Sequence, residues 1–355
     1  MESIIRGIKI CGIASAVPNN WVSLEEQFGS KSDSDANMVK KFIKNTGVEG
    51  RYIVSEKQTT SDLCYAAANK LLNEKSIERD KIGVLVFISQ TEDYRSPATA
   101  MVLHHRLRLN TSCFAFDVNL GCSGFTHGIE IVSSILLNSD ADYALLLCGD
   151  TSARYRNPYT ETYESKLDKM LFGDCGTATL LKKDSGAKDI SLIANTNGSK
   201  FDVIIVPYEW YRHPNIDSKK EVFMDGLEVY NFSTTEAPKT IQQMMKKNNT
   251  TIDNYDCLVL HQANKLIIDR IGKAIGIDDE KNLKSISKYG NTSSASIPAT
   301  LVHYYGNDDG GEIRCMLCGF GVGLSWSAVD CYIDKKDIIS LVYSDECFDD
   351  GYGKE

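Results

Sequence analysis

The sequence lacks any apolar run long enough to cross a membrane. Apolar stretches such as 144–148 and 203–206 are short, whereas a membrane helix needs about 18 or more apolar residues. The opening residues, MESIIRGIKI, contain no apolar stretch like that of a signal peptide. We therefore expect a cytoplasmic protein without a membrane partner.

An excess of positive charge is also absent. The chain carries 39 lysines and arginines against 48 aspartates and glutamates, so its net charge is −9. Phosphate backbones repel such a chain unless it has a local basic face, and the sequence contains no basic stripe. We therefore expect no nucleic-acid partner.

Paired cysteine motifs are missing, although cysteine itself is frequent. The eleven cysteines are an odd number, and many lie inside apolar runs, which is typical of buried thiols in a reducing compartment. The one CxxC motif, Cys315 to Cys318, lies in a strand-like run where alternation points the two side chains to opposite faces. The sequence therefore predicts neither a disulfide framework nor a metal site.

The two halves of the chain repeat one pattern. The first half contains the runs DKIGVLVFISQ, FAFDVNLGCSGF and YALLLCGD, and the second contains, in the same order, YDCLVLHQAN, SISKYGNTSSASIP and IRCMLCGFGVG. These strand-like runs alternate with helical patterns, which predicts an α/β fold. At about 150 residues per domain, a chain of 355 residues has room for two copies of one unit.

The repeat sets the predicted boundaries. The first half spans 1–183 and the second spans 190–333, with the polar stretch KKDSGAKD as the joint. An acidic extension, 334–355, follows. Its last twelve residues carry five acids and one lysine, so we expect this end to be solvated or disordered.

Amphipathic helices are predicted after Cys122 and after Asn264, because apolar residues recur there at helical spacing. The apolar positions are Phe125, Ile129, Val132 and Leu136 in the first helix, and Leu266, Ile267, Ile271 and Ile275 in the second.

Cys122 is the strongest candidate for chemistry. It follows an apolar run and opens a helix, with Gly121 and Gly124 on either side. A helix N-terminus favours the thiolate, the nucleophilic form of cysteine, and the glycines are expected to leave room for an acyl group. From position alone, a nucleophile and a buried core cysteine fit equally well.

Three other features are weaker candidates when each is taken alone. His261 ends an apolar strand, where a histidine can act as acid, base or donor, but a capping or core role is commoner. Asn291 lies in a turn-like stretch, where asparagine is most often a turn residue. The glycine-rich run CGFGVG contains backbone N–H groups that a ligand can approach.

Together the motifs GCSGF, HQAN, GNTSSASIP and GFGVG, in this order, resemble the ketoacyl-acyl carrier protein synthase III family of the thiolase superfamily. The resemblance also includes TGVEGR and LFGDCGTATLL. It implies a duplicated five-layer αβαβα thiolase fold and a homodimer. It further implies no cofactor and no metal, with thioesters of coenzyme A or acyl carrier protein as substrates.

The resemblance implies a role for each matching residue. Cys122 takes an acyl group from a thioester. His261 and Asn291 bind the carbonyl of a malonyl thioester, whose loss of carbon dioxide leaves an enolate that attacks acyl-Cys122. The backbone N–H groups of Cys122 and Val322 form the oxyanion hole, with valine where the family usually has glycine.

The substrate positions follow the family only in part. Lys41 and Asn45 replace a tryptophan and an arginine that stack on the adenine of coenzyme A, whereas Arg154 matches the arginine that contacts coenzyme A. Ser96 stands where a bulky aromatic residue limits primer size, so a larger or more polar acyl group is expected. Asn264, in HQAN, is assigned to substrate binding.

Two assignments concern charged residues. Glu92 lies near the position of the acid–base glutamate of hydroxymethylglutaryl-CoA synthases, but an exposed loop carboxylate is often merely solvated. Lys265, Arg270 and Lys273 lie on the helix after HQAN, where the family docks its acidic carrier protein. A solvated helix face is the alternative for these three side chains.

Several functions remain open at this point. The leading one is decarboxylating condensation of acyl-Cys122 with a malonyl thioester. The alternatives are acyl transfer to an amine or hydroxyl acceptor in a specialised pathway, and a condensation like that of hydroxymethylglutaryl-CoA synthase. An inactive partner subunit is disfavoured, because Cys122, His261 and Asn291 are all present.

Overall fold

The computed structural model describes residues 1–29, 32–153, 167, 169–207, 212 and 223–352. These residues form two six-stranded sheets and two two-stranded sheets. The small sheets pair, in antiparallel fashion, β3 (Trp21–Ser23) with β4 (Gly50–Tyr52), and β10 (Ile204–Ile205) with β11 (Phe223–Met224). Among the helices in this part of the chain, none has the length and apolar character of a membrane span.

The first large sheet collects the strand-like runs of the first half. Its strands are β2 (Ile8–Val17), β5 (Ile82–Ile88), β6 (Phe114–Val118), β7 (Tyr143–Asp150), β8 (Cys175–Lys183) and β16 (Val342–Tyr343). The order is β16-β2-β8-β7-β5-β6. Strands β7, β5 and β6 run parallel, and β8 is antiparallel to both of its neighbours.

The second large sheet repeats this arrangement. Its strands are β1 (Glu2–Ile5), β9 (Ile190–Thr196), β12 (Cys257–Leu260), β13 (Asn282–Leu283), β14 (Glu312–Gly321) and β15 (Ser325–Asp334). The spatial order is β1-β9-β15-β14-β12-β13. The last five of these strands have the same order along the chain, and the same parallel and antiparallel pairings, as β2-β8-β7-β5-β6 of the first sheet. The predicted duplication is confirmed.

The helices complete five layers. Those with bounds among the described residues are α1 (Leu24–Phe28), α2 (Asp33–Thr46), α3 (Thr60–Glu74), α4 (Thr99–Arg106), α5 (Gly124–Leu137), α6 (Gly226–Lys247), α7 (Lys265–Ile275), α8 (Ile286–Tyr289) and α9 (Ser296–Tyr305). Helices α5 and α9 pack between the two large sheets. Helices α3 and α4 cover the outer face of the first sheet, and α6 and α7 cover that of the second.

The central layer is the main core of the protein. The predicted apolar face of α5 is fully buried there against strands of both sheets, and each buried aliphatic or aromatic side chain stabilises the fold by about 1.5–3 kcal/mol. In α7, Ile267, Ile271 and Ile275 are buried as predicted. The prediction is wrong for Leu266, which is 55% exposed, because it lies about 100° around the helix from Ile267.

The cysteines follow strand alternation. Cys315 packs in the central layer, whereas Cys318, three residues further along β14, packs in the outer layer beneath α6 and α7. The two side chains therefore lie on opposite faces of the sheet, as predicted. All eleven cysteines are free thiols.

The two halves exchange their chain ends. The chain leaves the first sheet at Lys183, where β8 ends, and enters the second sheet at Ile190, where β9 begins. However, β1 from the first half pairs with β9 in the second sheet, and β16 from the extension pairs with β2 in the first. These pairings tie each half to the other through its edge strand.

The prediction of a free acidic end is wrong for the described part of the extension. The guanidinium of Arg106 lies 4.3 Å from the ring centre of Tyr65 and 4.9 Å from that of Phe348. The Phe348 N–H donates to Asp62 over 2.9 Å, and the Tyr94 hydroxyl donates to Asp350. Aromatic and hydrogen-bond contacts to the body of the protein therefore hold an exposed acidic segment in place.

Candidate active site

The chemistry-bearing residues meet at the carboxyl ends of the parallel strands. Cys122 follows β6, His261 directly follows β12, and Asp150 is the last residue of β7. In α/β sheets this edge is where ligands bind, because side chains from several strands converge there. The duplicated fold brings the edges of both sheets together at one place.

Cys122 is half-buried in the turn before α5. Burial raises the pKa of its thiol to about 11, and the negative charge of Asp150 acts in the same direction. Hydrogen bonds from the Val322 N–H and the Ser293 hydroxyl act against this shift. The expectation that the helix field favours a thiolate is therefore wrong for the unliganded protein, because desolvation outweighs it.

The glycines beside Cys122 do not leave space for an acyl group. A Cβ atom at Gly121 would lie 2.2 Å from Gln90 Oε1, and one at Gly124 would lie 2.7 Å from Ile88 Cγ2. Protein atoms already fill the space that the missing side chains leave. The glycines instead allow α5 to begin in close contact with the end of β5.

His261 is buried and neutral. Its Nδ1 atom lies 2.8 Å from the Ser296 hydroxyl, and the edge of its ring packs against Phe320 with ring centres 5.5 Å apart. Burial lowers the pKa of His261 to about 3, although a hydrogen bond with the Ser293 backbone opposes the shift. At neutral pH the imidazole therefore has one N–H donor and one acceptor nitrogen.

Asn291 is held by the first half of the protein. Its backbone N–H donates to the Leu171 carbonyl over 2.9 Å, and its carbonyl accepts from the Gly173 N–H over 3.1 Å. Its Oδ1 atom accepts from the Ser293 N–H over 2.9 Å. Because a backbone N–H can only donate, this contact fixes the amide orientation and leaves Nδ2 as the group that can donate to a ligand.

Sequence reasoning missed Ser293. It hydrogen bonds to Cys122 through its hydroxyl, to His261 through its backbone and to Asn291 through its N–H. Its φ of 50° is in the left-handed region, which is uncommon for serine and concentrates at functional sites. The run NTSS gave no signal beyond a turn, since these contacts exist only in the folded protein.

Asp150 is the second residue that sequence reasoning missed. Its buried carboxylate accepts from the Gln90 N–H over 2.8 Å and from the Ser294 hydroxyl over 3.0 Å. It thereby joins the end of β5 to the turn that follows Asn291. A signal was available, because Asp150 is the polar residue that ends the apolar run YALLLCGD.

Two of the predicted substrate residues that the structure describes, Ser96 and Glu92, are not linked to Cys122. Ser96 is exposed, and Glu92 is half-buried with its charge raising the pKa of Asp117. Within the described part of the chain, no hydrogen bond or ion pair links Ser96 or Glu92 to Cys122. Arg154 lies outside the described residues.

The predicted docking helix is α7. Asn264 caps it, accepting from the Ile267 N–H over 2.9 Å. Lys265 forms an ion pair with Asp269. Arg270 and Lys273 are exposed, and no acidic partner for either is found among residues 1–29, 32–153, 167, 169–207, 212 and 223–352. Part of the positive charge on this helix is therefore already paired, and part of it faces solvent.

The geometry combines the half-buried Cys122 thiol with several hydrogen-bond donors. The Val322 N–H reaches the sulfur, and His261 and the Asn291 amide share Ser293 as a neighbour with Cys122. Such donors stabilise negative charge that develops on a carbonyl oxygen. The arrangement suits acyl transfer through a cysteine thioester.

The chain is similar to known proteins along most of its length. Residues 116–199 match the family model for 3-oxoacyl-[acyl-carrier-protein] synthase III, and residues 245–332 match the model for its C-terminal part. The chain is 31% identical to β-ketoacyl-[acyl-carrier-protein] synthase III of Clostridium perfringens, over 91% of this chain and 98% of that protein. It is also 31% identical to the Acholeplasma laidlawii protein of the same name, over 90% and 97%.

A solved structure is similar along almost its whole length. It is that of a 3-oxoacyl-(acyl-carrier protein) synthase from Burkholderia xenovorans, with a TM-score of 0.89 and 31% identity. The match covers 97% of this chain and 99% of that one.

Proposed function

Because this chain belongs to the 3-oxoacyl-[acyl-carrier-protein] synthase III family of the thiolase superfamily, an acyltransferase family of condensing enzymes, we propose that Cys122, His261 and Asn291 carry out its condensation. The observation that carries the proposal is Ser293, which contacts all three residues at the carboxyl edge of the sheets.

In the first step, Cys122 attacks the carbonyl of an acyl thioester. A carbon–sulfur bond to Cys122 forms and the bond to the donor thiol breaks. Because the pKa of the Cys122 thiol is raised to about 11, the thiol begins protonated, and its proton leaves with the departing thiolate. The N–H groups of Cys122 and Val322 hold the oxyanion of the tetrahedral adduct.

In the second step, a malonyl thioester loses carbon dioxide. The electron pair of the broken carbon–carbon bond moves into an enolate, whose oxygen accepts hydrogen bonds from His261 and the Asn291 amide. Neutral histidine suits this role, because its low pKa keeps the ring uncharged and its one N–H can donate to the enolate oxygen without transferring the proton. The Ser296 hydroxyl then donates to Nδ1, so that Nε2 carries the hydrogen.

In the third step, the enolate carbon attacks the carbonyl of acyl-Cys122. The same two N–H groups hold the new oxyanion, which collapses and expels the Cys122 sulfur. The Cys122 thiolate then takes up one proton from solvent, and the product is a 3-oxoacyl thioester.

The substrates follow from the family and from the surface charge. Enzymes of this family use acyl-CoA or acyl carrier protein thioesters together with malonyl-acyl carrier protein. For this chain we propose an acidic carrier protein that docks on the exposed Arg270 and Lys273 of α7. Because Ser96 stands where a bulky aromatic residue limits primer size in the family, we propose a primer that is larger or more polar than an acetyl group. Arg154 and Asn264 are proposed to contact the arm of the thioester substrate. No cofactor or metal enters the proposal.

A homodimer is the proposed assembly. Strand β6 is an edge strand of the first sheet and, within the described residues, pairs only with β5. Its Phe114 side chain is 58% exposed, and an exposed apolar edge strand favours pairing with another strand. Light scattering of the purified protein tests this, with Phe114→Lys expected to weaken the dimer. A cytoplasmic location is proposed from the eleven free thiols.

The experiment that tests the function follows two products. The protein is incubated with acyl thioesters of several lengths and weighed by mass spectrometry, then supplied with malonyl-acyl carrier protein while carbon dioxide and 3-oxoacyl product are measured. We expect one acyl group on Cys122 and equal amounts of the two products. Cys122→Ala should neither gain the acyl mass nor form product. Acylation of a different cysteine would show that the nucleophile is misassigned.

A further inference from the structure

A hydroxyl pair joins the turn at Cys122 to the loop at Val322. The Ser325 hydroxyl donates to the Val322 carbonyl over 2.7 Å, and the Ser123 hydroxyl lies 2.7 Å from Ser325 Oγ. Because a carbonyl can only accept, the single Ser325 hydrogen is committed to Val322. The Ser123 hydroxyl must therefore donate to Ser325, and the contact has one direction, from Ser123 through Ser325 to Val322.

These serines are buried and lie directly beside the two oxyanion donors. Both are almost completely shielded from water, so each hydroxyl needs a partner within the protein. Ser123 follows Cys122 in the chain, and the carbonyl that Ser325 binds belongs to the residue whose N–H reaches the Cys122 sulfur. The pair thus spans the gap between the two proposed oxyanion donors.

The backbone around Cys122 has little space to adjust. A Cβ atom at Gly321 would lie 2.9 Å from Cys122 Sγ, and the φ of Gly321 is 158°. The end of β14 therefore rests on the nucleophile itself. On the other side of the loop, the Leu324 carbonyl accepts from the Asn197 N–H over 2.8 Å. Between these points, the contact from Ser325 orients the Val322 carbonyl.

We propose that Ser123 and Ser325 are positioning residues, which set the separation of the Cys122 and Val322 N–H groups in the oxyanion hole. This inference rests on the proposed function. The oxyanion forms twice, in acylation and in condensation, but not in decarboxylation, where His261 and Asn291 supply the donors. Loss of the hydroxyl pair should therefore slow acylation and condensation and leave decarboxylation unchanged.

A neighbouring serine offers a matched control. Ser327 is also buried on β15, two residues after Ser325 and on the same face of the strand. Its hydroxyl contacts Thr126 over 2.6 Å and the His127 ring over 3.1 Å, away from the 322 loop. Ser327→Ala removes a buried hydroxyl that contacts neither Ser123 Oγ nor Ser325 Oγ, and, of these two serines, its partners Thr126 and His127 contact only the Ser123 carbonyl.

The test measures each step separately in Ser325→Ala, Ser123→Ala and Ser327→Ala. Acylation of Cys122 is followed by mass spectrometry over a range of acyl-CoA concentrations. Protein fully loaded with acyl groups then receives malonyl-acyl carrier protein, and the rate of carbon dioxide release and the product formed per carbon dioxide are recorded. Ser325→Thr restores the hydroxyl and serves as the rescue variant.

For Ser325→Ala we expect kcat for acylation to fall by about tenfold to a hundredfold, as for a small misplacement of catalytic groups, with KM nearly unchanged. Carbon dioxide release from the loaded protein should match the wild type, while product per carbon dioxide falls. Ser123→Ala should show the same two effects at smaller size. It provides the test if Ser325→Ala does not fold. Ser325→Thr should recover most of the lost acylation rate. Ser327→Ala should not lower acylation relative to carbon dioxide release.

Two results would overturn the inference. One is wild-type acylation in both variants, and the other is an equal loss of acylation and decarboxylation, which indicates a general structural role. A wild-type protein that neither acylates nor releases carbon dioxide would instead contradict the proposed function, so the two failures are distinguishable.

Discussion

The Ser293 N–H donates to Oδ1 of Asn291 over 2.9 Å, and the same serine contacts the thiol of Cys122 through its hydroxyl. A left-handed φ in a serine costs about 1–3 kcal/mol, and it persists because several contacts hold the turn. The turn therefore fixes the orientation of the Asn291 amide.

Removing either enolate donor should affect decarboxylation more than acylation. We expect His261→Ala and Asn291→Ala to lose about a hundredfold to a thousandfold in carbon dioxide release, the effect of deleting one oxyanion donor. Acylation of Cys122 should change much less. Stopped assays that report the acyl-enzyme mass and carbon dioxide on the same sample provide the comparison. A variant that acylates poorly but decarboxylates normally would reverse the assigned roles.

Alkylation of Cys122 should rise with pH well beyond the range of an ordinary thiol. Because burial raises its pKa to about 11, the reactive thiolate increases about tenfold per pH unit below that value. Iodoacetamide labelling between pH 7 and 9, read by peptide mass spectrometry, should therefore increase without levelling. A cysteine-containing model peptide, whose thiol has a pKa of about 8.5, should begin to level near pH 9. A plateau for Cys122 below pH 9 would contradict the expected raised pKa.

Replacing Asp150 with asparagine should change both the reactivity of Cys122 and the stability of the protein. The negative charge of Asp150 raises the pKa of Cys122, so its removal should speed labelling at pH 8. The asparagine amide also places a donor against the Gln90 N–H or the Ser294 hydroxyl, which should lower the free energy of unfolding by about 1–3 kcal/mol. Asp142→Asn removes an exposed carboxylate and should change neither quantity. Unchanged labelling and stability in Asp150→Asn would count against its place in the site.

Charge reversal on α7 should weaken the use of a carrier protein. Arg270→Glu and Lys273→Glu should raise KM for malonyl-acyl carrier protein by about tenfold at low salt, and the difference should shrink as salt rises. Acylation by acyl-CoA should stay near wild type. Lys81→Glu, at the amino end of β5 and so away from the site, is the control. An equal effect of all three variants would exclude specific docking on α7.

The contact between Phe348 of the extension and Arg106 should contribute measurably to the free energy of unfolding. Phe348 is 36% exposed, and its ring lies over Arg106. A partly exposed cation–π contact contributes about 0.5–2 kcal/mol, so Phe348→Ala should lower the free energy of unfolding by about 1 kcal/mol. Denaturant titration measures this change. Tyr352→Ala, at an 85% exposed position, should remain within about 0.5 kcal/mol of wild type.

The sequence determined the repeated α/β plan and the order of the site motifs. Strand and helix periodicity depend on neighbouring residues, so the runs that lead to Cys122 and His261 could be read locally. The same local reasoning failed for Leu266 and for the space beside Gly121, because both depend on which side of an element meets another.

Only the tertiary structure decided how the site works. The contact of Ser123 with Ser325 joins residues 202 positions apart, and that of Asp150 with Ser294 spans 144. No local pattern encodes such pairs. The pKa of Cys122 shows the same division: its position before α5 is visible in the sequence, but the desolvation that outweighs the helix field exists only once both halves of the chain have packed around the thiol.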